Sequence, residues 1–121
     1  MSAWVWAGVA LLGGAGAIGR FVLDAAITQR RGSAFPLGTL AVNASGALAL
    51  GLLTGFAVSG DALVLAGTAA LGSYTTFSTW MLETQRLAEE GAFARAALNI
   101  VISMGVGLGG ALLGRAIGMH A

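Results

Sequence analysis

Charged side chains gather in small clusters along this chain, and four long apolar stretches run between the clusters. The first extends from Ser2 to Gly19 and, beyond Arg20, through Leu23 to Asp24. The second lies within Gly32 to Gly60, where no residue is charged. The third follows Asp61 and reaches Leu82, just before Glu83, and the fourth runs from Ala96 to Gly114 and is closed by Arg115. A helix of about 20 apolar residues crosses the hydrocarbon core of a bilayer. The pattern therefore predicts four transmembrane helices, over about 3–26, 36–58, 62–86 and 94–117, forming a single domain. Trp4 and Trp6 fall where indole rings favour the membrane interface. The opening residues carry no charge and lack the basic start of a secretory signal, so the first stretch reads as a permanent helix. Thr28–Ser33 is a polar turn, Pro36 suits the first turn of the second helix, and Arg86–Arg95 is an amphiphilic connector.

Composition sharpens this picture. Of 121 residues 57% are hydrophobic and 9% are charged, whereas soluble domains carry charge on about a quarter of theirs. The chain lacks the polar surface for a water-soluble fold and is expected to be an all-α integral membrane protein. Soluble enzymes, nucleic-acid binders and disordered tails are excluded; a net charge of +1 makes no basic patch for a phosphate backbone. Without cysteine there is no disulfide frame or thiolate metal site. Arg30, Arg31, Arg86 and Arg95 lie on one side, and Arg115 with the amino terminus on the other. The positive-inside rule would place both termini outside, although so small an excess leaves insertion in both directions open.

Glycine is the second signal. Gly51-Leu-Leu-Thr-Gly55, Gly105-Val-Gly-Leu-Gly109 and Gly110-Ala-Leu-Leu-Gly114 have the spacing that lets helix backbones approach closely in lipid. Packing within the four-helix unit and packing between subunits use such faces equally. Four thin helices leave little room for a pore, so a conduit would need a second copy, and cyclic pairs are the commonest oligomer.

Polar groups at membrane depth are costly and mark function. Asn43 either makes an interhelical hydrogen bond or presents its amide hydrogens to an anion. Gly72-Ser-Tyr-Thr-Thr-Phe-Ser-Thr-Trp80 is rich in side chains that compete for backbone hydrogen bonds, which predicts a break near the middle of helix three. Such breaks recur at ion sites, with loose carbonyls toward cations and helix N-termini toward anions. Phe77 and Trp80, at i and i+3, either pack in a core or offer positive ring edges to an anion. Arg20 and Asp24, at i and i+4, form an intrahelical pair, or Arg20 raises the local anion concentration at an entrance. Asn99 and Ser103 repeat that spacing on helix four and form a polar track. Glu83 with Arg86 reads as a surface pair.

With these residues in view, the chain resembles the Fluc/CrcB family of fluoride channels. The resemblance rests on Gly-Ala-Ile-Gly-Arg20, on Pro36-x-Gly-Thr-Leu-x-Val-Asn43-x-x-Gly46 and on Gly72-x-x-Thr-Thr-Phe-Ser-Thr79, and covers nearly the whole length. It implies an antiparallel, dual-topology homodimer in the cell inner membrane, with two fluoride pathways along the subunit interface. It also implies a structural sodium ion held by the backbone carbonyls of Gly72 and Thr75. Asn43 takes the place of the pore asparagine and Phe77 that of the first pore ring. Ser78 and Thr79 supply hydroxyls beside it, Ser103 matches a polar position on helix four, and Arg20 matches the vestibule arginine. Three positions depart from the family pattern: Trp80 stands for Phe, Asn99 for Tyr and Gly107 for Ser.

The expected activity is passive fluoride export, with no enzymatic chemistry. The alternative is a proton-coupled transporter of the small four-helix type. Its coupling needs a membrane-embedded carboxylate, and Asp24, Asp61, Glu83, Glu89 and Glu90 all sit near helix ends or in loops.

Overall fold

The computed structural model describes residues 1–121, which form helices and short turns with no strand. Helix α1 spans Ala3–Arg31. The Ser2 hydroxyl caps it by accepting the Val5 N–H at 3.4 Å, and it stops at Gly32, whose φ of 77° turns the chain away while its N–H returns to the Thr28 carbonyl. The helix runs past the predicted boundary because the polar Thr28–Arg31 segment continues it beyond the apolar stretch.

Helix α2 spans Leu37–Gly55. Pro36 sits one position ahead of it, as its N-cap, with its carbonyl accepting the Leu40 N–H. The end comes earlier than the hydrophobic pattern predicts. Ala57 N–H bonds back to Thr54 and Val58 N–H to Leu53, both at 3.0 Å, the paired closure of a Schellman turn. Ala57 occupies its left-handed position with φ 57°. The same closure ends the fourth helix below, where Gly91 and Ala92 bond back to Ala88 and Leu87.

The third hydrophobic segment is divided. Helix α3 is built of Gly60–Leu63, a π-helical stretch Val64–Leu71 and Gly72–Tyr74. Thr75 is extended, with φ −81° and ψ 159°, and a new helix, α4, runs over Ser78–Glu89. The predicted break is thus present at residues 75–77. The π stretch is a feature the hydrophobic pattern did not announce. Helix α5 spans Phe93–His120. Three helices, α1, α2 and α5, are individually long and apolar enough to cross a membrane.

The tightest packing joins α2 to α5, and glycine makes it possible. A Cβ on Gly51 would strike the Ala111 carbonyl, and one on Gly114 would strike the carbonyl of Leu48. The two backbones therefore lie in contact, which uses Gly51, Gly55 and Gly114 inside the chain. Gly105, Gly107 and Gly109 have nothing nearby. Only 14 of the 121 residues are buried, so most apolar side chains face outward, as in a protein whose solvent is lipid.

Candidate functional site

Asn43 connects the middle of α2 to the interruption between α3 and α4. Its Nδ2 donates to the Thr76 carbonyl and its Oδ1 accepts the Thr76 N–H, each at 2.8 Å. A helix break leaves backbone groups without partners, and the amide supplies one donor and one acceptor to the residue that needs both. Thr76 is held from the other side as well. Its hydroxyl accepts the Thr79 N–H and donates to Thr79 Oγ1, both at 3.1 Å, capping the start of α4. The Thr-x-x-Thr spacing ahead of a helix carries that capping signal in sequence, yet Thr76 was not among the predicted site residues.

On the α3 side of the break, the Thr75 hydroxyl folds back to the Leu71 carbonyl at 3.0 Å. Ser73 does the same to Ala69 and Ala70. The carbonyls of Gly72 and Thr75 accept no hydrogen bond from backbone or side chain. Tyr74 reaches across to α2, its hydroxyl 2.8 Å from Ser45 Oγ.

A groove of about 350 Å³ opens over the break. It gathers Asn43, Gly72, Thr75, Phe77 and Trp80 of the predicted set, together with Thr76. No acidic side chain lines it. Phe77 and Trp80 meet edge to face, with ring centroids 5.8 Å apart and planes at 87°. Phe77 is 69% exposed, so it stands out from the groove rather than within a core. Trp80 is anchored from behind, its indole N–H donating to the Asn99 carbonyl at 3.1 Å.

The other predicted residues are distributed around this groove. Ser78, in the first turn of α4, is exposed, and Thr79 is tied to Thr76. Ser103 lies one turn beyond Asn99 on α5 and donates to its Oδ1 at 3.4 Å. Asn99 is 1% exposed and donates to Thr84 at 2.9 Å. It therefore serves as a buried cross-link between α4 and α5 rather than an open track. Arg20, half-buried on α1, makes no ion pair, which corrects the expected Arg20–Asp24 bridge. Asp24 instead accepts from the Thr28 hydroxyl at 3.3 Å, and the backbone of α2 at Gly38 packs against it. The expected Glu83–Arg86 pair is also absent. Arg86 lies 3.7 Å from Glu90 and donates to the Ser33 carbonyl at 3.0 Å, while Glu83 faces Thr39 of α2, their buried oxygens falling outside hydrogen-bond geometry.

This arrangement falls wholly within a match to one family description, CrcB-like protein, Camphor Resistance (CrcB), over residues 7–115. The chain belongs to the CrcB family. Among its relatives, a Fluoride-specific ion channel FluC 2 from Mycolicibacterium paratuberculosis is 57% identical, over 92% of this chain and 91% of the relative. A protein of the same name from Mycobacterium tuberculosis H37Rv is 52% identical, over 92% and 88%. A more distant one from Haloarcula marismortui is 50% identical, over 83% and 84%. As a CrcB protein with long apolar helices, the chain is a multi-pass membrane protein of an ion-channel family, not an enzyme.

Proposed function

We propose that two copies of this chain form a passive, fluoride-selective channel that lets fluoride leave the cell down its gradient. The observation that carries the reading is the Asn43–Thr76 closure. It holds a helix break open beside a groove that offers dipoles and no fixed charge. Fluoride is small and strongly hydrated, so its dehydration must be offset by close donors. Asn43 keeps a second amide hydrogen beyond the one given to Thr76. The Phe77 ring presents a positive edge, and the start of α4 turns N–H groups and the positive end of its dipole toward the break. Neutral donors of this kind let an ion bind and still depart.

The finer architecture follows the same logic. The break lies at mid-membrane, and the partner subunit runs antiparallel, so that the exposed face of Phe77 is covered by the second copy. Sodium fits the unpaired carbonyls of Gly72 and Thr75, because unwound helix carbonyls are ligands suited to that ion. When bound, the ion would neutralise the negative end of α3; Thr75 would hold it through its backbone while its hydroxyl stays on Leu71. Arg20 concentrates anions at the entrance, and Ser78, exposed in the first turn of α4, extends the donors along the path, while Ser103 borders it with its hydroxyl given to Asn99.

The test is reconstitution of the purified chain in liposomes loaded with fluoride or chloride, followed with ion-selective electrodes. Fluoride emptying at a rate far above chloride supports the proposal; equal rates, or none, overturn it.

A further inference from the structure

The arginine pair that ends α1 has no role in the site above. Arg30 and Arg31 form the last turn of the helix and are exposed. Neither is ion-paired, the single salt bridge of the chain being Arg86 with Glu90. Between α1 and α2 a groove of about 530 Å³ is lined by Arg30 and Arg31 together with the apolar Ile27, Leu37, Leu40, Ala41 and Ala44. No acidic side chain lines it, and the carboxylate about two turns earlier on α1, Asp24, is engaged by Thr28.

The depth of this groove follows from helix length. The 29 residues of α1 rise about 43 Å at 1.5 Å per residue, which matches the roughly 40–45 Å of a bilayer with its headgroups. With Trp4 and Trp6 at one interface, Arg30 and Arg31 arrive in the opposite headgroup layer, and the apolar part of the groove lies at acyl depth.

We propose that this groove binds one anionic phospholipid. The paired guanidinium forks hold its phosphodiester, and an acyl chain lies between α1 and α2. Planar guanidinium groups match phosphate oxygens in bidentate geometry. Two uncompensated positive charges favour a headgroup with net negative charge over a zwitterionic one, whose ammonium they repel. The lipid accounts for part of the arginine excess on this side of the chain, and this reading is independent of fluoride conduction.

Native mass spectrometry of the full chain in detergent, with phosphatidylglycerol or phosphatidylcholine added, tests it. Wild type is expected to retain one phosphatidylglycerol per subunit and to release phosphatidylcholine. R30Q/R31Q is expected to bind phosphatidylglycerol about 30-fold more weakly, from the loss of two headgroup charges. The charge-matched control R95Q/R115Q is expected to retain it. Ala41→Trp, which fills the groove and leaves both arginines, is expected to lose it, with circular dichroism confirming unchanged helix content in every variant. Equal retention by R30Q/R31Q, equal loss in the control, or full retention by Ala41→Trp would each overturn the site.

Discussion

Asn43 and Thr76 are paired through two hydrogen bonds of 2.8 Å, side chain to backbone in both directions, as one strand residue would pair with another. The amide thereby does for the interrupted helix what the missing helical turn would have done. Asn43→Asp removes the donor and sets a carboxylate against the Thr76 carbonyl. The expected result is loss of fluoride efflux from liposomes together with a lower unfolding temperature in detergent. The loss of the bond alone costs about 1–3 kcal/mol. Unchanged efflux from that variant would remove Asn43 from the pathway.

The two rings separate by role. Phe77 is exposed at the groove, whereas Trp80 is fixed to α5 through Asn99. Phe77→Leu is expected to lower fluoride efflux at least about tenfold with little change in stability, since a ring edge is lost where charge must be stabilised. Trp80→Phe keeps a ring and gives up one hydrogen bond, for a cost of about 1 kcal/mol and near-normal efflux. Thermal unfolding and electrode recordings on the same preparations distinguish the two.

Ala57 holds φ 57° in the turn that ends α2, a conformation that costs a residue with a Cβ about 1–2 kcal/mol. Ala57→Gly is expected to raise stability by up to about 1 kcal/mol without altering efflux. Gly91→Ala, at the matching turn after α4 with φ 80°, is expected to lower it. Denaturation in mild detergent reads both.

Gly114 and Gly107 lie on the same helix in opposite circumstances. A Cβ at Gly114 would overlap the Leu48 carbonyl, while Gly107 has open space. Gly114→Ala is expected to destabilise the chain by about 1–3 kcal/mol through overpacking, and Gly107→Ala to leave it unchanged. Comparing the two unfolding temperatures checks which glycines pack within the subunit.

Much of this was legible from residue types alone. The uncharged stretches located the apolar helices, and the Ser/Thr-rich run after Gly72 located the break, because those side chains compete for backbone carbonyls, as Ser73 does at Ala69 and Ala70 and Thr75 at Leu71, which accepts the Thr75 hydroxyl as well as its N–H. What escaped has physical reasons. Val64–Leu71 holds the same small and apolar residues whether it winds as α or π, so the π stretch leaves no mark in composition. Ala57 occupies a position where glycine would have given the signal. Arg20 and Asp24 have helical spacing for a pair, but the approach of α2 at Gly38 and the Thr28 hydroxyl claim the carboxylate. Asn99 reads as part of a polar track by its i, i+4 spacing to Ser103. Its burial depends on Thr84 and Trp80, which only the folded α4 brings to it.

The central claim is uncoupled conduction of fluoride, and its most direct test is charge movement. Liposomes loaded with potassium fluoride and carrying the purified chain are placed in fluoride-free medium, and valinomycin is added to let potassium follow. Uncoupled conduction gives little release before the ionophore and rapid release after it, with no uptake of protons. Full release before valinomycin, matched by proton movement, would contradict it.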